Sequence, residues 1–269
     1  MTNDREPQLF VNRWGDTSGP GAEGHGGRQD ACSCLNQSRP APRARVGFHA
    51  ERQDTSAPGW RRLLELVEEA VADGREEFRP LVELSPQERR QIVTLPSSIG
   101  RLTAVKHLVL YGSNLVRIPP QIGGMTNLEE FTPYTSYRLH WFPYELTRCA
   151  RLTRSTVSTR ALFGNYKLRP PFPRLQPAED SGTDLDPGNL DPRRRGVTAL
   201  HGCSVCDGPI GPAELHQRWI SLRVATDVLP LLVNACSSAC VAALPRGADD
   251  YIATPHQGGR VDQPSSDED

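Results

Sequence analysis

The chain has 269 residues, of which 37% are hydrophobic and 23% are charged, and its formal net charge is -1. This nearly neutral balance gives no electrostatic reason to expect a nucleic acid or an anionic membrane as the main partner. No apolar run approaches the roughly 20 residues that cross a bilayer, and the first residues lack a basic region followed by an apolar segment. We therefore expect a cytoplasmic protein without membrane association, and protein partners for it.

Residues 1–55 have neither helical nor strand periodicity and are predicted to form a disordered tail. Cys32 and Cys34 lie in this tail, with His25 nearby. Because nothing around them would hold a fixed geometry, a metal role is disfavoured and they are interpreted as free thiols.

Residues 56–94 are predicted to form a helical cap. A first helix is expected from about Pro58 to Asp73, where apolar residues recur at three- and four-residue spacing, and Gly74 then supplies a stop. A second, short helix is expected to begin at Ser85, whose hydroxyl would cap it, and Glu88 would complete a capping box. Together the two helices would close one end of the element that follows.

The segment after the cap is repetitive. Six positions recur after 23 residues: Leu95, Pro96, Ile99, Leu102, Val105 and Leu108 are matched by Ile118, Pro119, Ile122, Met125, Leu128 and Phe131. A third copy, spaced by 24 residues, is carried by Pro143, Leu146, Cys149 and Leu152. One such repeat cannot bury its own apolar side, whereas stacked repeats form a continuous core.

The pieces LPSSIGRLTAVKHLVLYGSNLVRIP and IPPQIGGMTNLEEF resemble the LPxxIG type of bacterial leucine-rich repeat, over residues 92–165 and most strongly up to 152. The resemblance implies an α/β fold, in which residues 95–175 form a short leucine-rich-repeat solenoid with parallel strands behind the helical N-terminal cap. An asparagine usually follows the leucine equivalent to Leu108 by five residues in this family. Ser113 and Ser136 occupy those positions here, so we expect a ladder of hydroxyls at the bend.

In such a solenoid, the residues between the buried leucines of each strand point onto one concave surface. The three predicted rungs are His107, Val109 and Tyr111, then Glu130, Thr132 and Tyr134, then Arg154, Thr156 and Ser158. Two tyrosines beside a mixed-charge column suit a protein partner, because aromatic residues and arginine are enriched at binding hot spots. The alternative is that these are ordinary solvated strand residues that pair only with one another.

An inserted loop carries Tyr137, His140 and Trp141. These side chains would either extend the rim of the concave surface or cover the edge of the solenoid. We favour the covering role.

Four cysteines downstream fall into two close pairs, Cys203 with Cys206 and Cys236 with Cys240. Four thiolates are the usual donor set for structural zinc, and a two-residue gap lets both sulfurs of a knuckle reach one metal. The three-residue gap in the second pair suits a helical turn, whose positive end would help to ionise the thiolates. Between the pairs, RWISLRVATDVLPLLV indicates a hairpin with Asp227 near its turn. This arrangement resembles a treble-clef zinc finger and predicts a small zinc-stabilised α+β domain over residues 197–246.

A redox CxxC motif and unrelated free thiols are the alternatives for the cysteines. Cys206 is followed by the helix-stopping sequence DGP, which disfavours a thioredoxin-like motif. His201 and His216 are possible substitute ligands, although surface positions suit them better.

The four-sulfur set leaves no open coordination position, and the chain lacks a phosphate-binding glycine loop, a nucleophile elbow and paired histidines at helical spacing. We therefore expect a protein that is not an enzyme, with no small-molecule substrate.

A charged linker is predicted over residues 176–196 and a disordered acidic tail over residues 247–269.

We predict a non-catalytic protein-protein interaction module or adaptor that binds its partner through the concave face. A nucleic-acid-associated regulator is the alternative, in which the phosphate contacts would come from Arg193, Arg194, Arg195, Arg218 and Arg223. Acidic flanks on both sides weaken that alternative. A third reading is an accessory subunit that lends its solenoid to a catalytic partner.

Overall fold

The structure is a computed structural model that describes residues 49, 51–164, 169–175, 202–210, 215–259 and 261. It is of mixed α/β class, with a parallel sheet, a second mixed sheet and a few short helices. In these ranges no helix combines the length and the apolar character needed to span a membrane. Outside the described residues lie the predicted linker and most of the predicted N-terminal tail. The same holds for seven residues discussed above: His25, Cys32, Cys34, Arg193, Arg194, Arg195 and His201.

The two predicted helices of the cap are confirmed. Helix α1, Pro58–Asp73, ends at Gly74, whose φ of 64° lies in the left-handed region that glycine tolerates. Helix α2, Pro86–Arg90, begins at Ser85: the Ser85 hydroxyl accepts the Glu88 N–H, and the Glu88 carboxylate accepts the Ser85 N–H. The predicted capping box therefore fixes the start of α2.

The cap also contains a strand that the sequence does not predict. Strand β1, Glu77–Phe78, pairs in parallel with strand β2, His107–Val109, with Glu77 opposite His107. Phe78 is fully buried. Residues 56–94 are therefore not only a helical cap, because they supply the first strand of the sheet.

The repeats form the remaining strands of the parallel sheet. Strand β3, Glu130–Thr132, lies beside β2, and strand β5, Arg154–Ser155, lies beside β3. His107, Glu130 and Arg154 are in register, as the predicted column requires. The order β1-β2-β3-β5 follows the chain, so each repeat adds one strand.

Three 3-10 helices alternate with these strands, and each follows a proline: Ser97–Arg101, Pro120–Gly124 and Tyr144–Arg148. Successive 3-10 helices approach each other through their backbones. A Cβ on Gly124 would lie 2.6 Å from the Gly100 carbonyl oxygen, and a Cβ on Gly100 would lie 2.6 Å from the Gln121 carbonyl oxygen. This close approach explains why the repeated sequence carries glycine there.

The hydroxyl ladder predicted at the bend is confirmed. The Ser113 and Ser136 hydroxyl oxygens are 2.6 Å apart, and the Ser136 hydroxyl donates to the Leu110 carbonyl at 3.0 Å. Ser158 extends the series, since its hydroxyl accepts the Thr135 N–H at 2.9 Å. Three serines thus satisfy buried backbone groups at the bend.

At the other end of the hydroxyl ladder, a side-chain amide takes the same role. It belongs to Gln53, which is predicted to lie in the disordered tail. The side-chain oxygen Oε1 of Gln53 accepts the Val93 N–H, and the side-chain nitrogen Nε2 donates to the Gln91 carbonyl, both at 2.9 Å. His49 is also buried, with its Nε2 atom 3.2 Å from Nε2 of His140. Over residues 49 and 51–55 the structure therefore differs from the predicted disorder, because side chains of this segment bond to polar groups of the cap and of the inserted loop.

The predicted hairpin is confirmed, and it joins a sheet with the repeats. Strand β6, His216–Val224, pairs antiparallel with strand β7, Asp227–Ala235, through a turn of Ala225 and Thr226. Strand β4, Phe142–Pro143, comes from the inserted loop and pairs in parallel with β7. The repeats and the cysteine region thus share one sheet and one buried cluster.

The outer side of this second sheet is covered by two distant segments. Trp219 of β6 lies in a cluster with Phe163, Phe172, Leu175, Leu232 and Ile252. Residues 247–259, predicted to belong to a disordered tail, run along β6, and Trp219 forms a backbone bridge with His256. The prediction is wrong for these residues, because they satisfy the free edge of β6 and bury Ile252.

The inserted loop takes the covering role that we favour from the sequence. His140 is buried, and its Nδ1 atom bonds to the Ala161 carbonyl. Trp141 packs edge-on against Trp219, with ring centroids 6.1 Å apart. His140 therefore packs inside the molecule, and the half-buried Trp141 covers Trp219.

His256 makes the stability of this covering segment depend on pH. Burial lowers its pKa to about 4, whereas an unfolded histidine titrates near 6.5. The folded state therefore binds the proton more weakly, so stability is complete above pH ~6.5 and is lost as the pH falls towards 4. After discounting for partial solvent exposure, we expect a loss of about 2 kcal/mol in the free energy of unfolding.

The measurement is urea unfolding of the full chain at pH 7 and pH 4.5, with His256→Asn as the control. The asparagine oxygen can replace Nδ1, which accepts the Gly258 N–H at 3.1 Å. The variant should therefore lose less stability between the two pH values than the parent. An identical loss in both proteins would contradict this role of His256.

Candidate metal centre and strand face

The structure brings the four cysteines of the two pairs together. Cys203 and Cys206 lie on a turn that precedes the hairpin, Cys236 directly follows β7, and Cys240 lies on helix α3, Ser238–Ala242. The expectation that one helical turn carries both Cys236 and Cys240 is wrong, because β7 continues to Ala235 and leaves Cys236 ahead of the helix. All four sulfur atoms lie within 4.8 Å of one another.

The spacing of the sulfur atoms suits a tetrahedral metal. Zinc-sulfur bonds of ~2.3 Å place neighbouring thiolates of a tetrahedral site about 3.8 Å apart. The Cys236 sulfur lies 3.6 Å from the sulfurs of both Cys206 and Cys240. A disulfide would need about 2.05 Å, and all four thiols are free. The four residues thus fit a metal held by sulfur alone.

Backbone N–H groups that donate to its sulfur favour the thiolate form of Cys203. Burial opposes its ionisation, but N–H groups donate to its sulfur, those of Val205 and Cys236 at 3.4 Å, and the pKa of Cys203 falls to about 7. Hydrogen bonds with the thiols of Cys206 and Cys240 instead raise the pKa of Cys236 to about 12. Because neighbouring thiolates repel, this cluster needs a cation to ionise fully.

The cysteine knuckle rests on the third repeat through a buried polar contact that the sequence does not predict. Glu145, in the 3-10 helix Tyr144–Arg148, accepts a hydrogen bond from the Ser204 hydroxyl at 2.8 Å. The Ser204 oxygen in turn accepts the Asn234 N–H of β7 at 2.9 Å. Burial raises the pKa of Glu145. No sequence signal marks this contact, since a glutamate in a short polar turn looks like a solvated residue.

Arg148 makes a second contact between the third repeat and the knuckle. Its guanidinium donates to the Ser204 carbonyl at 2.9 Å and pairs with the Asp207 carboxylate at 2.7 Å. Asp207 directly follows Cys206 in the chain. Both cysteines of the knuckle are thus flanked by residues that bond to the repeat.

The outward side chains of β2, β3 and β5, with the residues that follow each strand, form one surface, which we call the strand face. Its half-exposed or exposed members are His107, Val109, Tyr111, Glu130, Thr132, Tyr134, Arg154, Thr156 and Ser158. Tyr111 and Tyr134 are 48% and 44% exposed, with ring centroids 6.0 Å apart. The two tyrosines thus contact each other and still present nearly half of their surface to solvent.

Arg154 and Glu130 form an ion pair within the strand face, with 2.9 Å between the guanidinium and the carboxylate. Beside this face, Arg79 lies 3.5 Å from the Glu77 carboxylate of β1. Exposed ion pairs of this kind contribute little to stability. The tyrosine pair is therefore the feature that distinguishes this face from an ordinary solvated sheet.

The arginines proposed for phosphate contacts do not form a patch in the described part of the chain. Arg218 and Arg223 are five residues apart on β6, so their side chains point to opposite sides of the strand. Arg218 also donates to the Gln217 carbonyl at 2.7 Å. These two arginines alone supply no continuous basic surface.

No protein-family model matches the chain, and no curated protein is similar enough to it to count as a relative. Among solved structures, a leucine-rich-repeat protein of Leptospira interrogans aligns with 35% of this chain and 35% of its own length, at 18% sequence identity. The TM-score of that alignment is 0.23. A likeness of this size supports no conclusion about fold or function.

Proposed function

We propose that the chain is a non-catalytic leucine-rich-repeat module that binds a protein partner through the strand face, and that structural zinc at the four cysteines completes its C-terminal end. The observation that carries the binding proposal is the exposed Tyr111–Tyr134 pair on a sheet whose strands repeat in register. Aromatic side chains bury a large area at a small cost in conformational entropy, and they dominate binding hot spots.

The donor set supports zinc as the metal. Four sulfur ligands in tetrahedral arrangement select zinc or iron, whereas magnesium and calcium prefer oxygen. A site closed by four thiolates has no position for water or substrate, which supports a structural role. Elemental mass spectrometry of the purified full chain should find about one zinc per chain. Iron in place of zinc, or no metal in protein purified without chelator, would contradict the assignment.

The strand face is tested by replacing both tyrosines with serine. We expect the variant Tyr111→Ser with Tyr134→Ser to lose at least about 2 kcal/mol of partner binding, roughly 30-fold in affinity, because two central aromatic contacts disappear. The tagged protein and its variants would be used to recover partners from a lysate of the source organism, with quantitative mass spectrometry. A specific partner should be retained by the parent and depleted by the variant.

Val82 offers a matched control, because it is also a large exposed apolar side chain, at 54%, but lies in the cap and not on the strand face. Val82→Ser should retain the same partner as the parent. Equal recovery with all three proteins would contradict binding through the tyrosine pair. Thermal unfolding of each protein verifies that the exposed substitutions leave the fold intact.

A further inference from the structure

The tip of the β6–β7 hairpin contacts the outermost strand of the repeat sheet. The Ser155 N–H of β5 donates to the Thr226 hydroxyl oxygen at 3.1 Å, and the Thr226 hydroxyl donates to the Ser155 carbonyl at 2.8 Å. The Ser155 hydroxyl also lies 2.6 Å from the Asp227 carboxylate. Thr226 therefore satisfies both backbone groups of Ser155 on the outer edge of β5.

Strand β7 connects this contact to the four cysteines. It begins at Asp227, directly after Thr226, and ends at Ala235, directly before Cys236. Nine residues of extended chain span about 30 Å. β7 is also the central strand of its sheet, with β4 on one side and β6 on the other. One unbroken strand therefore joins Cys236 to the residue that contacts β5.

A second connection holds the same strand to the third repeat. Asn234 of β7 bonds to Ser204 between the first two cysteines, and Ser204 bonds to Glu145 of the repeat. A metal shared by Cys203 and Cys236 would fix Ser204 and Asn234 relative to each other. The knuckle, β7 and the third repeat would then form one rigid unit.

We propose that metal binding at the four cysteines controls the outermost rung of the strand face, which Arg154 and Thr156 begin, through β7 and the contact between Thr226 and Ser155; this inference rests on the proposed function of that face. Strand β5 has only two residues and pairs with β3 on its inner edge. Short edge strands have low local stability. Loss of the metal releases Cys236, loosens β7 and leaves Ser155 without its outer partners, so a metal-free chain presents an incomplete binding face.

The test is hydrogen-deuterium exchange of the full chain, saturated with zinc and stripped of metal by a chelator. Removal of zinc should speed exchange at least about 10-fold in peptides covering residues 227–235 and 153–157, because local openings become easier. Peptides covering residues 107–109 should change little, since β2 lies between β1 and β3. Faster exchange in 227–235 with no change in 153–157 overturns the coupling, and so does an equal rise over 107–109 and 153–157.

Thr226→Val separates the coupling from the metal site. Valine keeps the branched shape but removes the hydroxyl, so this variant should bind zinc as the parent does while residues 153–157 exchange quickly with or without zinc. Thr147→Val is the control, because its hydroxyl bonds only within its own turn, to the Tyr144 carbonyl at 2.8 Å, and it should respond to zinc like the parent. A Thr226→Val variant that keeps the zinc response overturns the coupling alone, whereas a parent chain that binds no zinc overturns both the coupling and the proposed metal site.

Discussion

Replacing Cys203 and Cys206 together with serine is expected to abolish zinc binding by the full chain and to lower its free energy of unfolding by at least about 3 kcal/mol. Serine hydroxyls are poor ligands for zinc, and the two remaining thiolates complete only half of the donor set. Structural zinc contributes directly to folding free energy, because the unfolded chain has no preformed site. The loss should be largest in the β6–β7 hairpin, because Cys236 directly follows β7 and the knuckle bonds to Asn234 near the end of that strand.

The measurement combines the zinc content with thermal and urea unfolding of the parent and the variant. A chelator added to the parent should reproduce the stability of the double variant. Zinc added to the variant should have no effect. An unchanged zinc content or an unchanged unfolding curve in the double variant would contradict a structural role of zinc at these cysteines.

Cys149 supplies the control for the chemistry of cysteine-to-serine substitution. It is buried in the third repeat, away from the cluster, and burial raises its pKa to about 12. Its thiol contacts the Ile122 carbonyl at 3.4 Å, a bond that serine can also make. Cys149→Ser should keep the full zinc content and lose about 1 kcal/mol of stability.

The elements that the sequence predicts are those whose signals are local and periodic. Helix α1 begins and ends where the apolar spacing and Gly74 indicate, and the Ser85 capping box is complete within four residues. The register of His107, Glu130 and Arg154 follows from the repeat length alone, since equal spacing places equivalent residues side by side. The cysteine cluster is predictable for a related reason, because metal ligands come in close pairs.

The elements that the sequence does not predict depend on contacts between distant segments. Strands β1 and β4 have two residues each, too few to show a period of two, and they form because β2 and β7 provide pairing edges. Residues 247–259 have a composition typical of a loop, and they are held by the free edge of β6 and by backbone hydrogen bonds to Phe172 and Leu175. Gln53 satisfies backbone groups 40 residues away, for which no local pattern exists.

The same limit applies to the candidate sites. The ligand spacing identifies the four cysteines but does not reveal that Glu145 and Arg148 attach them to the third repeat. The repeat pattern identifies the strand face but not the contact of Thr226 with Ser155. Chemistry that resides in one short motif can be predicted from this sequence, whereas the packing that couples two motifs cannot.

Trp219→Ala is expected to destabilise the protein by about 3–5 kcal/mol. The substitution removes the largest side chain of the cluster that covers the outer side of the β4-β7-β6 sheet, and it leaves a cavity there. Trp219 is completely buried, and the centroid of its ring lies 5.7 Å from that of the Phe163 ring and 5.4 Å from that of the Phe172 ring. Its indole N–H donates to the Pro173 carbonyl at 3.0 Å. The side chain therefore holds β6 to a segment more than 40 residues earlier, and its backbone holds His256.

Trp219→Phe is the matched variant, since it keeps an aromatic ring but loses the indole N–H, and we expect it to lose about 1–2 kcal/mol. Urea unfolding measures both losses, and limited proteolysis reports whether residues 247–259 are released. If those residues belong to the folded unit, Trp219→Ala should make them more susceptible to cleavage than Trp219→Phe does. Equal cleavage of this segment in the parent and in both variants would contradict its dependence on Trp219.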